Sequence, residues 1–419
     1  MNNNKSLPSV NNQWINLLGL CSATITFYCC LKWYITPLVA VLSTLTAYTL
    51  PILLLEVLLL KTPYRESTGF SATWHNLSFE RIFFKLVGLY ATFAMLIFLY
   101  WLFPEYHKPF YKDYWSFLIK IAPWAFLISI PYVALVDAKM DDPFDSYWNL
   151  GRILCFNRPQ SYQGLAQHSL GWIVKGYFLP LMYAELYSKS QTLSITSFSH
   201  IFSNINTFFM TGIVILFTID VLIATVGYLF TLRLFDSHIR STDSTFFGWF
   251  VCLICYEPFY NAILMLYIPK KINFLTGLNS IDHPLLQSIW CGCVLFMLFC
   301  YVLATLAFGL RFSNLTNRGI ITQGVYRLTK HPAYVAKTIF WWIAFIPLAS
   351  IAPNPIILFT SILFLIGTTI IYYFRAKTEE KHLSKDPAYV EYGLWMNEHS
   401  IFAPLAKHWH FLRYQPPIY

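Results

Sequence analysis

Pro355-Ile-Ile-Leu-Phe-Thr-Ser-Ile-Leu-Phe-Leu-Ile-Gly-Thr-Thr-Ile-Ile-Tyr-Tyr-Phe374 runs straight into Arg375-Ala-Lys-Thr-Glu-Glu-Lys-His-Leu383, and this stretch decides the fold. Its first part carries no charge and reaches the roughly 20 residues that a helix needs to cross bilayer hydrocarbon. Nothing in 375–383 breaks a helix, so the same helix is read as continuing past the lipid into water. The rest of the chain repeats the pattern. Of its 419 residues 57% are hydrophobic and 12% charged, against roughly 25% charged in an average soluble domain. Such a chain cannot keep its apolar surface from water without lipid.

Ten candidate spans follow: 14–33, 36–60, 82–103, 116–136, 170–187, 207–232, 246–268, 286–310, 336–350 and 355–374. The expected fold is therefore all-α, a polytopic transmembrane helical bundle of about ten spans. The first span is too long and too weakly cationic at its start for a cleaved signal peptide. Most of the 29 Lys and Arg fall on the side of the N-terminus, whereas Lys108, Lys112, Lys189, Lys270 and Lys271 fall opposite. By the positive-inside rule both termini are cytoplasmic. The net charge of +9 then reports topology, and no nucleic-acid partner is expected. Aromatics at 19% of the chain suit interfacial belts. The nine cysteines lie almost all in apolar stretches, so a disulfide framework is not expected. Cys252-x-x-Cys255, with apolar neighbours, reads as membrane-buried thiols.

A division falls near residue 245. Residues 1–245 form span after span of unknown role, while 246–419 gather the chemistry. There is no Gly-x-Gly, no Walker A loop, no His-Glu-x-x-His and no Gly-x-Ser-x-Gly, so familiar nucleotide and hydrolase motifs are absent. The informative stretch is Arg318-Gly-Ile-Ile-Thr-Gln-Gly324-Val-Tyr326-Arg327-Leu-Thr-Lys330-His331-Pro332-Ala-Tyr334. Pro332 suits the first turn of a helix, so the ninth span is read as starting there. The amides of Ala333, Tyr334 and Val335 would then face the interface as an anion site. Gly324 would permit a turn bringing Tyr326, Arg327 and Lys330 towards the same spot. The short link from Ile351 to Pro355 would make a tight hairpin, returning Glu379 and Glu380 to the face that carries His331.

This constellation resembles the isoprenylcysteine carboxyl methyltransferase family and its relatives, the phospholipid methyltransferases. The matching residues are Gly324, Tyr326, His331, Pro332 and Tyr334, then Glu379-Glu380, then Tyr389-Val-Glu-Tyr392 and Pro404. Lys330 stands where the family has Arg, losing a planar fork for carboxylates, and Ala336 stands where Gly is usual. The resemblance implies that S-adenosylmethionine lies among Gly324, Tyr326, His331, Pro332, Tyr334, Glu379 and Glu380. A lipophilic, prenylated acceptor would reach it from the bilayer. Arg327 and Lys330 are the candidates for orienting the acceptor anion. The site would face the cytoplasm from a bacterial inner membrane or the endoplasmic reticulum.

Competing readings stand beside this one. The enzyme alternatives are a phospholipid amine methyltransferase and a sterol-type reductase using NADPH. The other class is a transporter using Asp220 and Glu257, which fall near the bilayer centre. Glu379 and Glu380 could simply pair with Arg375, Lys377 or His382, and His331 could be a plain helix cap. Arg327 and Lys330 could meet anionic head groups, and Tyr389 and Tyr392 could be interfacial anchors. Lys85, Lys120 and Lys175 can snorkel from span ends. His283-Pro284 reads as a loop turn. His408-Trp-His410 has no further ligand nearby, and no metal is expected.

Overall fold

A computed structural model of the protein describes residues 7–196, 201–267, 274–347 and 355–417. Within them the regular structure is helical apart from one antiparallel pair of two-residue strands, β1 (Ser241–Thr242) and β2 (Thr316–Asn317), and an isolated bridge between Phe70 and Met140. The helices are α1 (Gln13–Lys32), α2 (Pro37–Leu60), α3 (Phe79–Leu102), α4 (Lys112–Lys139), α5 (Ser146–Leu154), α6 (Leu165–Ile195) and α7 (Ile205–Leu229). They continue as α8 (Phe246–Leu253), α9 (Phe259–Tyr267), α10 (Phe274–Asn279), α11 (Pro284–Phe308), α12 (Pro332–Phe345), α13 (Pro355–Leu383), α14 (Pro387–His399) and α15 (Ala403–His408). The starts follow local chemistry. Side chains of Asn12, Ser78, Asp145, Asn204, Thr245 and Asp386 accept from first-turn amides, and Pro occupies the first turn of α2, α11, α12 and α14.

Among the described residues, α1, α2, α3, α4, α7, α11 and α13 are long and apolar enough to cross a membrane. The chain is thus an all-α integral membrane protein. The other three expected spans are not among these seven. The 170–187 segment lies in α6, an unbroken helix of 31 residues that carries Lys175 and Glu185 within the segment, buries Phe178, Leu181, Tyr183 and Leu186 and packs on α2, α4, α5 and α7. The described part of segment 246–268, up to residue 267, is two short helices, α8 and α9, separated at 254–258. Helix α12 has 14 residues, ~21 Å at the helical rise against ~30 Å of hydrocarbon, and the description of its expected span stops at residue 347. Residues 348–350 of that expected span, most of the Ile351-to-Pro355 link, and Lys5, Lys270 and Lys271 of the topology argument lie outside the described residues. His283-Pro284 starts α11, with Pro284 in its first turn, instead of making a loop turn.

Lipid gives helices no hydrophobic reason to associate, so close packing and polar bonds hold this bundle. Gly88 of α3 and Gly151 of α5 bring two backbones into contact, since a Cβ on either would strike a carbonyl of the other helix. The Phe178 and Tyr228 rings stack between α6 and α7 at 5.2 Å. Lys85, expected to snorkel, is instead buried with its Nζ 2.9 Å from Asp137. Asp220 accepts from Tyr301 (2.9 Å) and Thr305 (2.8 Å), which pins α7 to α11. Lys175 lies over the Trp172 ring at 4.0 Å, and Lys120 is exposed. Glu257 sits in the break between α8 and α9, where its carbonyl accepts from Tyr177.

The seam between the N-terminal helices and the Arg318–Tyr334 stretch is polar and closed. Arg311 meets Glu56 at 2.7 Å, with both side chains fully buried. The Arg318 guanidinium donates to the carbonyls of Gly227, Phe230, Phe312 and Ser237, capping the end of α7. Asp236 takes Arg65 (3.2 Å), Arg240 (3.0 Å) and Ser67 (2.8 Å). Residues 7–16 strap across 306–323. Val10 N–H donates to Ile320 (3.1 Å), Thr322 donates to the Leu7 carbonyl (2.9 Å), and Asn16 donates to the Leu306 carbonyl (2.9 Å).

Candidate functional site

Three pieces of chain assemble the site. The first is a turn at Gly324, whose φ of +61° lies in the left-handed region and whose missing Cβ leaves room for the Gln13 side chain. The second is the start of α12, where Pro332 follows a His331 at φ −130°, ψ 61°. The third is the outer end of α13, which continues from its apolar run to Leu383 without interruption.

The glutamates do return to His331. Its Nε2 lies 3.3 Å from Glu380 Oε1, and its Nδ1 lies 3.8 Å from Glu379 Oε2. The Tyr334 hydroxyl donates to Glu379 Oε2 at 2.7 Å. Rings of His331, Tyr334 and Tyr372 form a stack, with centroids 5.6 and 5.9 Å apart. Glu380 is also contacted by Lys330 (2.7 Å) and Lys377 (2.9 Å), so one buried carboxylate answers three cation-forming groups. Burial outweighs the Glu380 carboxylate at Lys330 and holds its ammonium below the ordinary lysine value. The local pairing of Glu380 with Lys377 and the pairing with the His-Pro tip therefore coexist.

Other placements differ from the expectation. The amide of Val335 donates to the His331 carbonyl (3.1 Å), which narrows the helix tip to the amides of Ala333 and Tyr334. The Gly324 turn does not bring Tyr326, Arg327 and Lys330 together. Tyr326 is buried against Phe308 with ring centroids 5.3 Å apart, Arg327 is exposed, and only Lys330 reaches the glutamates. Tyr389 and Tyr392 are core residues of a small cap with Met396 and Tyr414, not surface anchors. Tyr392 donates to the Tyr326 carbonyl (2.7 Å), fixing the turn from behind. Burial pushes the Tyr326, Tyr389 and Tyr392 phenols up, so all three remain hydrogen-bond donors at neutral pH.

Sequence reasoning undervalued Arg375, taken only as a boundary cation or helix-turn partner. It is buried, donates to Asn314 Oδ1 (2.9 Å), and lies over the rings of Tyr334 (4.9 Å) and Tyr256 (5.6 Å). Among the described residues no carboxylate pairs with it. Its position one turn before Glu379 was the available signal. Tyr414, whose ring lies 5.5 Å from Lys330 Nζ, had none. Two openings flank the glutamates. A cavity of about 40 Å³ is bordered by Tyr334, Arg375, Glu379 and Asn314, and a cleft of about 410 Å³ by Lys377, Glu380 and the C-terminal segment. Among the described residues no group of His, Cys, Asp and Glu could hold a metal ion.

This arrangement joins an anion-friendly helix tip, stacked aromatics and two carboxylates on one face. Residues 286–385 match the family model of the isoprenylcysteine carboxyl methyltransferase (ICMT) family. That segment runs from α11 through the Gly324 turn and α12 to the end of α13, and so contains both sides of the site. The likeness is to a family of membrane methyltransferases and agrees with the one read from His331-Pro332 and Glu379-Glu380. No curated protein and no solved structure matches the chain.

Proposed function

We propose that the protein is an S-adenosylmethionine-dependent methyltransferase of the membrane that acts on a lipophilic acceptor, a prenylcysteine-type carboxylate by preference. We assign its core to residues 246–419 and the site to the cytoplasmic side, a reading supported by the Lys and Arg gathered at 311–330 and 375–385. The observation that carries this reading is the contact of His331 with Glu380 and of Tyr334 with Glu379 within an ICMT-type segment.

The residues present fit the cofactor's chemistry. Glu379 and Glu380 offer acceptors for ribose hydroxyls or an ammonium, Lys330 and the α12 tip suit a carboxylate, and the Tyr334–Tyr372 stack offers a face for a ring or a sulfonium. Gly324, Tyr326 and Pro332 shape the backbone that carries these groups. When bound, S-adenosylmethionine supplies a methyl group on a sulfonium. A carboxylate acceptor oxygen, already anionic, would take that methyl while sulfur kept the electron pair of the broken bond. No proton moves, so the protein needs no general base. Its task is alignment and exclusion of water.

Arg375, cationic and without a carboxylate partner among the described residues, supports an anionic acceptor over an amine, joining Lys330 as a candidate for orienting it, whereas the exposed Arg327 is left out. Calorimetry with S-adenosylmethionine tests the cofactor, and transfer of a radiolabelled methyl group to a lipid extract tests the acceptor. Saturable NADPH binding without S-adenosylmethionine binding, or proton-driven flux, would overturn the reading in favour of the reductase or the transporter.

A further inference from the structure

Arg375 is buried with 6% of its surface exposed, and the groups that contact it among the described residues are neutral. Its Nη2 donates to Asn314 Oδ1 at 2.9 Å and reaches the Cys252 sulfur at 3.7 Å. The rings of Tyr334 and Tyr256 lie against it. A buried guanidinium ordinarily takes a carboxylate, because its charge is costly away from water. Here a carboxamide stands in that position.

That carboxamide is not free to turn. Asn314 Nδ2 donates to the Tyr228 hydroxyl at 2.8 Å, and the Asn314 backbone N–H donates to the same oxygen at 2.9 Å. The far side of the amide then presents Oδ1, which accepts from Arg375 and from the Tyr256 hydroxyl (3.3 Å). A flipped amide would set N–H groups against a guanidinium that can only donate. Tyr228 is held in turn. It is fully buried, with its ring stacked on Phe178 at 5.2 Å and meeting Phe312 edge-on at 6.1 Å. It belongs to α7, so the stretch before residue 245 supplies the anchor.

An amide at this place has a chemical consequence. Aspartate has the same shape as asparagine, and at 314 it would form with Arg375 the charge-assisted pair that a carboxylate ligand would otherwise make. The amide fixes the direction of the guanidinium and leaves its charge uncompensated. Asn314 and Arg375 both border the small cavity beside Tyr334 and Glu379, so an anion entering there meets that charge.

We infer that Asn314, held by Tyr228, sets charge selectivity on the acceptor side of the site: it positions Arg375 without neutralising it, and so selects a carboxylate acceptor over a neutral one. This inference rests on the proposed function and adds to it two positioning residues, one of them from α7.

The test uses full-length protein in detergent and two calorimetric probes, an N-acetyl-S-prenylcysteine with a free carboxylate and the primary amide of the same molecule. Wild type should bind the carboxylate about tenfold tighter than the amide. Asn314→Asp should remove that preference by weakening the carboxylate probe about tenfold, with the amide probe and S-adenosylmethionine each within about twofold. A merely structural role would weaken both probes alike. Tyr228→Phe leaves the charge in place and loosens the amide, so the preference should stay while kcat for the carboxylate probe falls about fivefold at a KM within about twofold. Equal affinity for both probes in wild type, a preference that survives Asn314→Asp, or parallel loss of both probes would each overturn the inference. Should Asn314→Asp not fold, Tyr228→Phe decides, and an unchanged kcat overturns it. Failure of S-adenosylmethionine to bind wild type would sink the methyltransferase reading instead. The probes bind without cofactor, so their affinities would still show whether Arg375 selects an anion.

Discussion

Two charge clusters stand within one short stretch of chain, and similar residue types serve opposite ends in them. Around Arg311 and Arg318 the clusters are closed. Glu56 and Arg311 face each other with no exposure, and Arg318 is satisfied by backbone carbonyls on every side. Around Lys330 and His331 one carboxylate is shared by several partners, while Glu379 stays partly exposed and uses one oxygen. A closed cluster cannot exchange a partner without leaving a charge stranded. The shared one can give up a partner to a ligand and keep the rest. That difference separates a joint from a site.

The largest expected effect belongs to the joint. Glu56→Ala strands the fully buried Arg311 and should cost about 3–5 kcal/mol of stability. Unfolding of the detergent-solubilised protein measures it. Replacing both partners, Glu56→Leu with Arg311→Met, should recover most of that loss, because the stranded charge and not the lost attraction is responsible. If Glu380→Ala destabilised the protein as much as Glu56→Ala, the distinction between the two clusters would fail.

Ligand binding should show the reverse order. Glu379→Ala and His331→Ala should each weaken S-adenosylmethionine binding by about a hundredfold, the scale of a lost hydrogen bond to a charged group, with the protein still monodisperse. Unchanged affinity in both removes them from the pocket. Arg375→Gln should leave the cofactor dissociation constant within about twofold and cut kcat/KM for a carboxylate acceptor by about tenfold or more. A loss confined to cofactor affinity would instead assign Arg375 to the other ligand. Asp220→Asn, remote from the glutamates, should spare cofactor binding in calorimetry.

The parts legible beforehand were those set by local pattern. An uncharged run ending in Arg375 fixes α13 and its extension into water, and Pro332 fixes the start of α12. Together with the order of motifs, they put His331 beside Glu380. Pairings between distant helices left no local trace. Lys85 reads as a snorkelling lysine until Asp137 of α4 is seen against it. The apolar 246–268 run contains a break at 254–258 that hydropathy alone does not register, because both α8 and α9 remain apolar. Arg375 was hidden by its place in a cluster of boundary cations, each of which topology alone would account for. The strap of residues 7–16 carries no motif and is held by side chains such as Asn11, Asn16 and Thr322 bonding to backbone carbonyls far away in the chain, which no local pattern reveals.

That strap supplies the smallest effect and the finest test of how the site is held. Gly324 needs its positive φ, and a Cβ there would strike Gln13. Gly324→Ala should therefore carry two separable costs, about 1–2 kcal/mol for the left-handed backbone and a further part for the contact with α1. Gln13→Ala removes only the second. In a double-mutant cycle read by cofactor affinity, Gly324→Ala should weaken binding about tenfold, Gln13→Ala alone should change it little, and the pair should recover part of the loss. A strictly additive cycle would mean that the first turn of α1 does not press on the turn. The strap would then bear on the fold alone, as the Glu56–Arg311 joint does, and have no bearing on the geometry of the glutamate pair.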